Sequence, residues 1–212
     1  AVIDTDATYL THLDMKLNEA STGLSTAYNS TTNKTTITLP YDIDDTMQVV
    51  TRNVNANSTI AGQIIAIDST GSNTIVVSGG KTTTKFFVGE KYTFEYQFSQ
   101  QYIQLGQAQS RTAVKEGRLQ IRKWTVTYDN SGHFKVQVTP KNRDTTTETF
   151  TGAIVGSGVV NGINLEDGNY TFPIMSRNEG LVVKLTNSEY LPSNFINAEW
   201  QGFYNQQSES NS

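Results

Sequence analysis

Trp124-Thr-Val-Thr-Tyr128, Asp129-Asn-Ser-Gly132 and Phe134-Lys-Val-Gln-Val138 follow one another in the second half of the chain. Trp124, Val126 and Tyr128 recur with a period of two, as do Phe134, Val136 and Val138. That period puts each triplet on one face of an extended strand. The polar tetrad between them ends in glycine, as tight loops do, so the passage predicts a β-hairpin with one apolar face.

The same pattern extends in both directions. Toward the C-terminus, strands are expected over residues 147–155, 168–174 and 180–185, with Glu166-Asp167-Gly168-Asn169 as a hairpin loop and a turn over 187–193. Toward the N-terminus, residues 86–98 carry Val88, Tyr92, Phe94, Tyr96 and Phe98, whose spacing places four rings on one strand face. Earlier still, residues 35–39, 47–51, 60–67 and 74–77 are apolar or alternating runs of strand length, parted by segments rich in Asp, Asn, Ser and Gly. Helical periodicity is confined to two short pieces, 8–19 and 107–115. The expected class is all-β, built from antiparallel barrel- or sandwich-like domains with short connecting loops and little helix.

Gly79-Gly80 and the threonine-rich 81–85 suggest a boundary between a small β-barrel or sandwich domain, 1–80, and a larger antiparallel β domain, 81–212. The polar tail 206–212 is expected to be disordered. A first residue Ala1 in a strand-like context reads as part of a longer polypeptide.

Composition limits the function classes. The 212 residues carry a net charge of −4, with only 17% charged residues, and there is no cysteine. A duplex-gripping surface needs clustered Lys and Arg, and thiolate metal sites and disulfide scaffolds need cysteine. No apolar run reaches the ~18 residues of a membrane-spanning helix.

Candidate chemistry is sparse. His12 and His133 are far apart in sequence, and His133 adjoins the expected loop. Asp42, Asp44 and Asp45 lack the ligand spacing and turn glycine of a calcium loop, so they read as a solvated turn. Glu148, Glu166, Asp167 and Glu199 are the carboxyls from which a sugar-cleaving pair could be drawn, but nothing in the sequence pairs them. Gly156-Ser157-Gly158 does not fit a nucleophile elbow. Arg118, Arg122 and Lys123 beside Trp124 could serve single-stranded nucleic acid, yet Trp124 belongs to the apolar face and the cations lie on the opposite face or just before it. Catalytic, cofactor and metal residues are therefore none, and the protein is read as a non-enzyme.

Several blocks in order resemble the nozzle proteins (tail tubular protein B) of T7-like podoviruses, in their C-terminal portion. These are Leu13-Asp-Met-Lys16 with Asn33 to Tyr41, then Phe87-Val-Gly-Glu-Lys-Tyr92 running on to Ser99, then Gly117-Arg-Leu-Gln-Ile-Arg122. The closing block, Phe172 to Arg177 and Leu191 to Tyr204, includes the most specific stretch, Ala198-Glu-Trp-Gln-Gly-Phe-Tyr204.

The resemblance implies a virion structural protein of a short non-contractile tail. It implies a homohexamer contacting the adaptor (tail tubular protein A) and tail fibres, with genomic DNA passing through unbound. A virion carbohydrate- or receptor-binding β-module is the alternative, and a polysaccharide depolymerase a more distant third. Core or interface residues are expected at Tyr92, Phe94, Tyr96, Trp124, Val126, Phe134, Val136, Phe172 and Trp200. An ion pair is expected between Glu199 and Arg118 or Arg177.

Overall fold

The computed structural model describes residues 2–3, 10–11, 16–43, 46–52, 61–105, 112–114, 117–152 and 164–205. These are all-β and antiparallel, with no helix among the described residues. A two-stranded pair, β1 (Val2–Ile3) with β2 (Leu10–Thr11), comes first. The short helices expected over 8–19 and 107–115 are not formed where the chain is described. Leu10–Thr11, Leu17–Asn18 and Thr112–Val114 are strands instead.

The described residues up to Tyr92 belong to one compact unit and those from Thr93 to a second. The first unit holds two four-stranded sheets. One has the order β3 (Leu17–Asn18), β10 (Phe86–Glu90), β6 (Met47–Thr51), β7 (Ile64–Ile65). The other runs β4 (Ser25–Asn29), β5 (Lys34–Thr38), β9 (Thr74–Ser78), β8 (Ile67–Thr70). Ile37, Ile75 and Val77 from one sheet and Val49, Phe86 and Val88 from the other are buried in a common core, as alternation on facing sheets requires. The run expected over 60–67 is divided between β7 and β8, which lie in different sheets.

Polar groups in this unit are paired. Buried Thr35 donates its hydroxyl to the Gly79 carbonyl at 2.6 Å and accepts from the Lys81 amide at 2.9 Å. Glu19 ties three segments together: it receives the Arg52 guanidinium, the Lys85 ammonium at 3.2 Å and the Phe86 amide at 3.3 Å.

The second unit is a sandwich. A four-stranded sheet has the order β11 (Phe94–Gln97), β18 (Val182–Asn187), β15 (His133–Thr139), β16 (Thr146–Thr151). A three-stranded sheet has β14 (Arg118–Ser131) between β17 (Glu166–Arg177) and β19 (Phe195–Asn205). A further pair joins β12 (Ile103–Leu105) to β13 (Thr112–Val114). One core fills the sandwich, with Trp124, Val126, Tyr128, Phe172 and Ile174 from the three-stranded sheet against Phe134, Val136, Phe150, Val183 and Leu185 from the other.

The expected hairpin over 124–138 is therefore not a hairpin. β14 pairs with β17 and β19, whereas β15 pairs with β16 and β18. The two strands form an arch, crossing from one sheet to the other at Gly132 with their apolar faces toward each other. The rings of Tyr128 and Phe134 meet across the core at 5.5 Å. Alternation identifies the buried face of a strand but not its hydrogen-bonding neighbour.

The geometry at the crossing explains the arch. Asn130 has φ of +45°, buried Ser131 accepts the Asn194 amide at 2.9 Å, and the Gly132 amide donates to the Pro192 carbonyl at 2.9 Å. A Cβ on Gly132 would press on Leu165 and Leu191 at 3.1 Å. These are partners in another loop, not the cross-turn bonds of a hairpin.

Other expectations change as well. Residues 166–169 are the start of β17 and not a loop. The aromatic run 86–98 is not one strand, because it breaks between β10 and β11. Tyr92 and Tyr96 are 42% and 52% exposed and so do not pack inside. Tyr92 lies in the break, and Tyr96, opposite buried Leu185, is on the core side of β11 but exposed at the open edge of the sheet.

Candidate interaction surface

The three-stranded sheet presents a second face away from the core, and the sequence of its central strand shapes that face. Leu119 and Ile121 are buried, and so are Trp124, Val126 and Tyr128. The step from 121 to 124 breaks a period of two. A bulge resolves it: Ile121 is opposite Gly202 of β19 and Lys123 is opposite Gln201, leaving Arg122 as the extra residue. One added residue restores the phase, so both apolar groups face the same core.

The outward row runs from a cationic end to an acidic end. Arg118, Arg122 and Lys123 on β14 and Arg177 on β17 are all exposed. Among the described residues none of the four is in an ion pair, while Arg122 stacks over the Phe203 ring at 5.3 Å. Between the cations lie Met175, 54% exposed with φ of +47°, and Phe203, 58% exposed. They border a groove of about 570 Å³ that is also lined by Pro173, Gln201 and Gly202.

Next along the strands comes a polar ladder. The Thr125 and Thr171 hydroxyls share a hydrogen bond at 2.9 Å, and the Thr127 hydroxyl donates to Asn169 at 2.7 Å. At the far end Asp129 and Asp167 come together, with the Asp167 carboxylate accepting the Asn130 amide at 2.7 Å. The hydrogen bond to Asp167 pushes the Asp129 carboxyl above its usual range. The Asn130 amide and Asp129 hold Asp167 below its own.

The expected site residues distribute as follows. Trp124, Val126, Phe134, Val136 and Phe172 are buried, Phe94 and Trp200 are partly buried against the same core, and Tyr92 and Tyr96 are exposed. His133 is half-buried, its ring nitrogen Nδ1 3.4 Å from Asn187. His12, Asp44, Asp45 and Gly156 to Gly158 lie outside the described residues, and Asp42 is exposed. Glu148 accepts the Tyr170 hydroxyl at 3.1 Å. No cluster of three or more His, Asp or Glu is arranged for a metal among the described residues.

Glu199 forms no ion pair with Arg118 or Arg177. It stands opposite Thr125, while Arg118 is seven residues away along β14 and Arg177 stands opposite Gln120. At about 3.3 Å per residue those are separations of roughly 23 and 17 Å. The sequence reading missed the Asp129–Asp167 contact, which depends on the partner of β14, and the exposed Met175–Phe203 groove. The 121-to-124 step was the signal that could have revealed the bulge.

A family model described as bacteriophage nozzle protein matches residues 1–211. The chain belongs to that family. Among its relatives, the tail tubular protein gp12 of Escherichia phage T7 is 31% identical over 132 residues, which are 60% of this chain and 16% of that protein. The match thus spans about one sixth of the relative's length. This nozzle-family chain is a structural component of a virion tail.

Proposed function

We propose that the chain is part of the wall of a homohexameric nozzle at the end of a short, non-contractile tail of a T7-like podovirus. The genome leaves through this nozzle, which is joined to the adaptor (tail tubular protein A) and flanked by tail fibres. It works without catalysis or cofactor. The nozzle-family match over residues 1–211 carries this reading. The physical character of the chain supports it: each unit buries its own apolar core, and a net charge of −4 gives little hold on phosphate. Sliding DNA meets less friction along a wall of like sign.

Native mass spectrometry of the full-length polypeptide, alone and with the adaptor, tests the proposal. A six-fold species or a stable adaptor complex is expected. A strict monomer that ignores the adaptor and binds a host surface glycan overturns it in favour of a receptor-binding module.

A further inference from the structure

We infer that the outer face of the β17-β14-β19 sheet is a self-association surface, on which the cationic end of one copy meets the carboxylate end of a second copy. The inference rests on the homo-oligomeric reading above and assigns it a surface.

Four observations lead to it. Arg118, Arg122, Lys123 and Arg177 gather on one end of one face in a chain whose net charge is negative. Five of its other cations are in ion pairs, whereas these four, themselves described, are in none among the described residues. The opposite end carries Asp129 and Asp167, with Glu199 between. Lys123 and Asp129 are six residues apart on one strand, roughly 20 Å at about 3.3 Å per residue. That is more than twice the screening length of about 8 Å at physiological salt. The two ends therefore do little to neutralise each other within one copy, and each remains available to an opposite charge from outside.

The apolar part of the face points the same way. Met175 and Phe203 are more than half exposed beside the groove, and Arg122 covers only part of the Phe203 ring. Apolar side chains within a charged rim form the usual anatomy of a protein–protein contact. A second copy supplies the matching charges in the opposite order. A nucleic acid would meet attraction at one end of the face and repulsion from Asp129 and Asp167 at the other.

Charge swapping in the full-length polypeptide tests this. One variant reverses the cationic end (Arg118→Glu, Arg122→Glu, Lys123→Glu) and the other reverses the acidic end (Asp129→Lys, Asp167→Lys). Sedimentation velocity reads the assembled fraction, and circular dichroism confirms the strand content of each variant. Each variant alone is expected to lose at least tenfold in association constant. A one-to-one mixture is expected to regain the wild-type mass, because reversed ends match each other and so do the untouched ends. The single variant Arg122→Glu keeps the test open if a multiple variant fails to fold, with a loss of about threefold expected. Wild-type assembly by both variants, or no recovery on mixing, overturns the inference but leaves the nozzle reading standing. Unchanged assembly with weaker retention on duplex DNA assigns the cations to phosphate and overturns it too. A wild-type chain that stays monomeric yet binds the adaptor overturns this inference alone, and one that neither self-associates nor binds the adaptor overturns both readings.

Discussion

At the scale of single residues, Gly202 and Glu19 are the most constrained positions. Gly202 faces Ile121 beside the Arg122 bulge, and a Cβ there would fall on the carbonyl oxygen of Gln120, a backbone atom that the sheet holds in place. Gly202→Ala is expected to cost about 1–3 kcal/mol, as overpacking does, read as a lower urea midpoint. Glu19 loses hydration on burial, which alone would raise its pKa. The Arg52, Lys85 and Phe86 hydrogen bonds outweigh that and bring it down to about 2. A folded value below the unfolded one means the contribution is full above the ordinary carboxylate range near ~4.3 and disappears as pH falls toward 2. Glu19→Gln is therefore expected to cost about 1–3 kcal/mol at pH 7, and its difference from wild type should shrink steadily in urea titrations at pH 4 and pH 3. A difference that does not change with pH would remove Glu19 from this role.

At the scale of elements, the bulge in β14 makes a sharp prediction. Deleting Arg122 puts Leu119 and Ile121 out of phase with Trp124, Val126 and Tyr128. One group must then turn to solvent, at about 1.5–3 kcal/mol for each apolar side chain lost from the core. Arg122→Ala keeps the residue count, so it should leave stability within about 0.5 kcal/mol of wild type, as surface changes usually do. Comparing the two urea midpoints separates phase from side-chain chemistry. The same strand shows what the sequence could reveal. Trp124, Val126 and Tyr128 announce their buried face through their spacing, as do Phe134, Val136 and Val138, and the all-β class follows from many such runs. That β14 joins β17 and β19, rather than the strand that follows it, depends on residues 35 to 87 positions away, which no local pattern encodes. β19 was itself missed because its alternation is interrupted: Ile196 is an extra residue between the Tyr128–Phe195 and Thr127–Asn197 pairs. The Asp129–Asp167 contact and the Met175–Phe203 groove were illegible for the same reason, since both exist only once β14 has its neighbours.

At the scale of the whole molecule, two cores in two units lead to a spectroscopic prediction. The only tryptophans, Trp124 and Trp200, are both in the second unit, whereas far-ultraviolet circular dichroism reports strands in both. Glu19→Gln weakens the first unit. It is expected to shift the dichroism transition to lower urea and leave the tryptophan fluorescence midpoint where it was. Coincident shifts in both signals would show that the units unfold as one.

The arch at Gly132 sets a timetable for synthesis. Trp124 is opposite Phe172 on one side and Trp200 on the other, so its second neighbour lies 76 residues downstream. At about 5–20 residues per second, a ribosome needs roughly 4 to 15 s to supply it. Throughout that interval the newly made β14 keeps one edge unpaired. A nascent chain is thus open to mispairing with its neighbours on the same messenger until β19 emerges.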